Sequence, residues 1–242
     1  MSTLLAFDTA TERMSVALTA RGEVRIHEAA GGAQASAALI PAIFGLLADA
    51  GLSLLEVDAI AFGRGPGAFT GLRTACAVAQ GLAMGAGKLV LPLDTLLAVA
   101  EDARAQRERV SVWVAMDARM DEIYAAHYAY EAGHWTTLVT PMLITPELLT
   151  ARWQEESPEV VAGSALDAFG ERLQTGTALR VPQAMPRAHA LVPLAQALWQ
   201  AGGAVDPALA LPVYVRDKVA QTTAEREALR ASREGHAAEA RP

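Results

Sequence analysis

Apolar positions fall in short runs divided by turn chemistry along the first part of the chain. Residues 3–7 are an apolar run that stops at Asp8, residues 14–19 alternate, and Arg21-Gly22 turns the chain into a third run at 23–28. These patterns predict three strands in a meander. The period then becomes helical. Ser36 is placed to cap a helix running to about Ala50, with Pro41 in its first turn or so and Gly51 as its stop. Leu39, Ile43, Leu46 and Leu47 form one stripe, and Ile40 and Phe44 widen it until the helix is apolar nearly all round. A helix of that kind is normally covered on more than one side.

Residues 57–62 predict a buried strand, and an alanine-rich helix follows over 72–84. Gly71, Ala75, Ala79 and Ala83 recur every fourth residue there, a flat face that lets another backbone approach, with Leu72, Cys76 and Leu82 as the larger apolar members. A strand at 88–91 and a helix from Asp94 to about Ala105 complete the series. Three strands followed by alternating helices and strands is the plan of a ribonuclease-H-like unit rather than a pure Rossmann one.

The charged break at 104–109 marks a boundary, and the second half echoes the first. A strand at 110–116 again ends in an acid, Asp117-Ala118-Arg119. Segments 122–130 and 133–139 follow, then a helix at 146–153, a strand at 160–162 and a helix at 188–200 with Leu191, Leu194, Ala195 and Leu198 on one face. Residues 212–218 close the fold, and the Ala/Glu/Arg-rich stretch after them lacks an apolar stripe. The expected division is an N-terminal lobe at 1–105, a C-terminal lobe at 106–218 and a charged, loose tail at 219–242.

Composition narrows the class. At 242 residues, 52% hydrophobic and 19% charged, the chain supports a sizeable core. A formal net charge of −7 argues against a broad non-specific grip on nucleic acid. Cys76 is the only cysteine, which excludes an intramolecular disulfide and fits a reducing compartment, so the cytoplasm is the expected location. Neither a secretory leader nor an uninterrupted apolar run of membrane-spanning length is expected.

Candidate chemistry centres on residues 63–73, Gly63-Arg64-Gly65-Pro66-Gly67-Ala68-Phe69-Thr70-Gly71-Leu72-Arg73, between a strand and a helix. Glycines are tolerated there for tight packing or for an anion at the helix N-terminus, and the spacing leaves both readings open. No lysine with serine or threonine completes a P-loop. Asp8, at the carboxyl end of the first strand, suits either a magnesium–phosphate group or a local turn. The histidines His27, His127, His134, His189 and His236 include no pair at helical spacing for a metal. Cys76, among alanines, is expected to be inert core.

Residues 4–11, the glycine turn 63–73, Met116-Asp117-Ala118-Arg119 and Pro212-Val213-Tyr214-Val215-Arg216, in that order, resemble the TsaB (YeaZ) family. These are bacterial subunits required for making threonylcarbamoyladenosine in tRNA, and the likeness runs from Leu4 to about Lys218. It implies an α/β fold of two ribonuclease-H-like lobes, that of the actin, sugar kinase and Hsp70 (ASKHA) superfamily. It also implies a non-catalytic scaffold that activates a TsaD-type transferase acting on the adenosine next to the anticodon. A metal or cofactor of its own is not implied, tRNA would be engaged indirectly, and a TsaE-type ATPase would join a larger complex. Binding would use the first two helices, through Leu39, Ile43, Phe44 and Leu47 and through Gly71, Leu72, Ala75, Cys76 and Ala79. Asp8, Thr9, Thr11, Gly63, Gly65, Gly67, Thr70, Asp117 and Arg119 would be a vestigial phosphate site, with Ala10 where kinases carry a glycine. Ala35 stands where many members have a histidine, and the His-x-x-x-His pair of TsaD is missing. Competing readings are an ATP-dependent phosphotransferase using Asp8, Thr11 and Gly65, and a metallopeptidase, against which the missing pair argues. A sticky helix pair would also let the chain pair with itself when alone.

Overall fold

The computed structural model describes residues 2–216, so the predicted tail and Lys218 lie outside the described residues. Strand β1 (Leu4–Asp8) pairs antiparallel with β2 (Arg13–Ala20), which pairs antiparallel with β3 (Glu23–Ala30). Helix α1 (Ala35–Asp49) leads to β4 (Ala59–Gly63), α2 (Phe69–Ala86), β5 (Leu89–Leu93) and α3 (Thr95–Arg104). Strands β4 and β5 add in parallel beside β1, giving the order β3-β2-β1-β4-β5.

The second lobe repeats this plan strand for strand. Its elements are β6 (Arg109–Arg119), β7 (Glu122–Glu131), β8 (His134–Ile144), α4 (Pro146–Glu156), β9 (Val160–Ala162), α5 (Ala165–Phe169), β10 (Leu179–Val181) and α6 (Ala188–Gln200). The sheet order is β8-β7-β6-β9-β10, antiparallel in the meander and parallel beyond it. Two ribonuclease-H-like lobes of an α/β protein are therefore present, as expected. Short α5 and β10 were not anticipated, and β8 runs past Pro141, which an edge strand tolerates.

The lobes do not divide as cleanly as the boundary at 105/106 implies. Leu191, Val192, Leu194 and Ala195 of α6 pack with Leu4, Ala6, Ala59, Ala61 and Leu91 of the first sheet. Leu96, Val99, Ala100 and Ala103 of α3 pack with Val112, Val114, Ala126 and Tyr128 of the second. Each lobe's third helix thus covers the other lobe's sheet, and α6 belongs by packing to the first lobe.

Two details of α1 differ from expectation. Its N-cap position is Gln34, and the Ser36 hydroxyl instead donates back to the Ala33 carbonyl at 3.3 Å. A 3-10 turn at Gly32–Gln34 runs directly into the helix, which leaves no capping role for Ser36. Pro41 lies well inside the helix, on its exposed side.

The residues expected to bind a partner require a larger correction. Leu39, Ile43 and Leu47 are buried in the first core with Phe7, Val16 and Phe62. Ala75, Cys76 and Ala79 join that same cluster, and Gly71 and Leu72 are buried as well. Of the nine, only Phe44 reaches the surface, 46% exposed. The flat face of α2 serves the chain's own sheet: a Cβ on Gly71 would stand 1.9 Å from the Thr9 carbonyl oxygen. On the opposite side of α2, a Cβ on Gly81 meets nothing within 4 Å.

These two glycines make a matched test. Gly71→Ala forces backbone apart and is expected to cost about 3 kcal/mol or more of stability. Gly81→Ala, in an open helical position, is expected to add roughly 0.5–1 kcal/mol. Urea unfolding of both variants against the wild type measures the opposite signs.

Candidate functional site

Both first strands end at one place, a cleft of about 900 Å³ between the lobes. Thr11, Gly67 and Thr95 line it from the first lobe, Asp117, Arg119 and Ser164 from the second, and the terminal segment through Tyr214 and Arg216 borders it. Asp8 lies just beneath, fully buried. Its Oδ1 accepts from the Ala10 amide at 2.7 Å and its Oδ2 from the Thr95 hydroxyl at 2.7 Å. Thr95 in turn accepts from the Gly65 amide at 3.1 Å, and its own amide donates to the Gly65 carbonyl. The acid is thereby tied to the glycine turn and to the start of α3.

The glycine turn is spent on packing. A Cβ at Gly63 would lie 1.7 Å from Asp8 Oδ2, and one at Gly67 would lie 2.7 Å from Ala10. Thr9 donates its hydroxyl to the Gly71 carbonyl at 2.7 Å, and Ala68 donates its amide to Ala10 at 2.8 Å. The Arg64 amide is taken by Leu93. The Arg64, Gly65 and Ala68 amides of the turn are therefore spent on the chain's own backbone and side chains. Of the two readings left open by the spacing, close packing describes this turn. Gly65, at φ +111°, abuts Val213 and Leu72, while Thr70 points to solvent at the helix start.

The predicted phosphate set is thus split by the structure. Asp8, Thr9, Gly63 and Gly65 are sealed beneath the surface. Thr11, Gly67, Asp117 and Arg119 face the cleft, but the Thr11, Asp117 and Arg119 side chains are engaged. Thr11 exchanges hydrogen bonds with Arg13, and Asp117 takes the Arg119 amide at 2.8 Å and its guanidinium at 3.0 Å. Arg119 also lies 4.0 Å from Glu12 across the cleft.

Sequence reasoning missed the residues that lock Asp8. Thr95 carried no pattern of its own. Asp94 was legible as a helix start and does cap α3 through the Leu96 and Leu97 amides, but its second oxygen also accepts from Tyr128 of the other lobe at 2.6 Å. Burial holds the Asp94 carboxyl above its usual range and raises the Tyr128 phenol as well. Cys76, beside this network, has its thiol pushed up to about 12 by burial and by Asp8, which makes it inert at neutral pH. His127 meets Ser111 at 2.6 Å and stacks on Trp113, and burial lowers its pKa. Among the described residues no group of three or more His, Cys, Asp or Glu side chains is placed to hold a metal.

Burial, opposed by its hydrogen bonds from Ala10 and Thr95, raises Asp8 from 3.8 to about 6. The folded chain thus holds this proton where the unfolded chain releases it. The neutral carboxyl's advantage is complete below pH 3.8 and is lost as pH climbs to about 6, by roughly 3 kcal/mol. Asp8→Asn is expected to remove this downward slope, so the stability difference between wild type and variant shrinks or reverses over that window. Chemical unfolding at stepped pH reads it directly.

Comparison with known proteins places this geometry. Residues 20–223 match the family model "TsaD: tRNA N6-adenosine threonylcarbamoyltransferase". The chain is 36% identical to the tRNA threonylcarbamoyladenosine biosynthesis protein TsaB of Escherichia coli over 221 residues, covering 90% of this chain and 96% of that one. It is 36% identical to TsaB of Haemophilus influenzae over 228 residues, covering 90% and 94%. The solved structure of YeaZ from Pseudomonas aeruginosa superposes with a TM-score of 0.81 at 38% identity, covering 88% of this chain and all of that one. The chain therefore belongs to the family this model describes and, within it, to the TsaB (YeaZ) proteins.

Proposed function

We propose that this chain takes part in threonylcarbamoyladenosine synthesis as a non-catalytic subunit that docks and activates a TsaD-type transferase through the outer faces of α1 and α2. The names of its relatives support the pathway. The docking face rests on one observation: the segment Gly32–Asp49 is apolar enough in length and composition to cross a membrane, yet only 28% of it is buried. Its inner stripe is anchored in the core, so the surplus apolar surface faces outward. Ala37, Ile40, Pro41, Phe44, Gly45 and Ala48 form that outer stripe without a charge. On α2 the corresponding stripe includes Ala77, Gly81, Met84 and Gly85.

Magnitudes say how such a face must work. Ile40, Phe44 and Met84 are 43%, 46% and 67% exposed, and burying what remains would return roughly 1 kcal/mol each. Association costs about 4–15 kcal/mol, so three anchors alone do not suffice. The small residues between them supply the rest by letting two helix backbones come close over a wide, flat area. The non-catalytic part of the reading is supported by the sealed state of Asp8 and by the engagement of the Arg64, Gly65 and Ala68 amides of the glycine turn within the chain. A TsaE-type ATPase would join the assembled pair, and tRNA would be held mainly by the partner.

Phe44→Asp is expected to abolish capture of the TsaD-type subunit in a pull-down while leaving the melting temperature of the isolated chain within a few degrees of wild type. Retained capture would remove α1 from the interface. Self-association of the wild type through the same face would be lost in the same variant, as read by sedimentation.

A further inference from the structure

We propose that the terminal segment Leu211–Arg216 is a latch that holds the two lobes together across the mouth of the cleft, with Arg216 as its bolt. The segment has no regular structure, and its hold on each lobe is separate. On the first lobe, the Val213 amide donates to the Arg64 carbonyl at 2.7 Å. The Tyr214 ring lies 5.2 Å from Phe69 at the start of α2, and its hydroxyl accepts from Arg73 Nε at 3.2 Å. Arg73 also lies over the Phe69 ring at 3.8 Å, so aromatic and cation–π contacts fix this end.

On the second lobe, the segment's hydrogen bonds among the described residues all come from one side chain. Arg216 donates to the Arg119 carbonyl at 3.1 Å, to Glu122 at 2.5 Å and to the Met120 sulfur at 3.5 Å. Its side chain is only 12% exposed, and its Nε is buried without a partner among the described residues. The ground it grips is unusual. Arg119, Met120 and Asp121 are consecutive side-chain-bearing residues at φ +63°, +58° and +63°, a left-handed run that is costly without glycine. Arg216 caps the first carbonyl of that run and pairs with the acid just after it. A short charge-assisted contact in a partly dry site is strong, so Arg216 ties the strained hairpin to the terminal segment far more closely than the exposed Arg119–Glu12 pair at 4.0 Å ties it to the first lobe. When it lets go, the hairpin and the second lobe lose this tie to the first lobe, and the cleft widens.

The test uses the full chain carrying Ala33→Cys beside the first-lobe rim and Ala168→Cys on the second-lobe rim, spin-labelled for distance measurement; Cys76 is buried and stays unlabelled. The expected result is one narrow distance distribution for the parent, and a broader one shifted to longer distance with Arg216→Ala. Glu122→Gln, which keeps an acceptor but not the charge, is expected to give the same shift at smaller amplitude. Amide exchange at 118–123 is expected to quicken about tenfold in Arg216→Ala. A parent-like distance distribution in Arg216→Ala overturns the latch, even if its melting temperature falls, because that outcome makes the contact stabilising without holding the lobes. Should Arg216→Ala fail to fold, an unchanged distribution in Glu122→Gln overturns it equally.

Discussion

The molecule depends on one close approach, that of the glycine turn and first turn of α2 to the loop after β1. Gly63, Gly67 and Gly71 meet Asp8, Ala10 and Thr9 respectively, at distances where a single methyl group would collide with backbone or carboxylate. The Thr9 hydroxyl and the Ala68 amide bridge the remaining gap with hydrogen bonds. Because the two loops touch, Asp8 is cut off from water and turned onto Thr95. The same contact fixes where α2 lies on the sheet and therefore which of its faces looks outward. Burial of the acid, occupancy of the Ala68 amide and exposure of the outer helix face are thus consequences of one packing event.

Most of the order of elements along the chain was legible because runs of alternating or continuous apolar residues are divided by turn residues and helical periods. Asp8 closes β1, whereas β6 runs through Asp117 to Arg119, and the period changes at the helices are abrupt. What was not legible was direction. In α2, Gly71, Ala75, Ala79 and Ala83 face inward, whereas Ala77, Gly81 and Gly85 face outward, and both sets are small and uncharged. Side-chain size alone gives no contrast between those faces, so a core face passed for a docking face. In α1 the contrast existed but was weak: Leu39, Ile43 and Leu47 differ from Ile40 and Phe44 only by the wider arc they subtend. The three-residue β10 is too short to show a period.

Long-range connections were invisible for a different reason. The crossing of α3 and α6 between lobes depends on which sheet each helix meets after the chain turns, and amphipathic spacing reports only that a face is buried. Leu191 and Leu194 predicted a core face correctly but could not say whose core. The locking residues share this character. Thr95 and Tyr128 are ordinary in sequence and acquire meaning only once Asp8 and Asp94 have been carried to them.

That crossing also sets how the cleft can change shape. With α3 on the second sheet and α6 on the first, the lobes cannot separate as independent bodies without exposing both apolar layers, which would forfeit far more than one salt bridge supplies. Only a small rotation that keeps α3 and α6 packed is affordable. Thr95, at the first residue of α3, lines the cleft, so such a rotation acts on the hydrogen bonds around Asp8 as well as on the terminal segment. The terminal segment is anchored on Phe69 and Arg73 in the first turns of α2, the helix whose far side carries the proposed docking stripe. That stripe and the anchor of the terminal segment therefore lie on one unbroken helix of 18 residues.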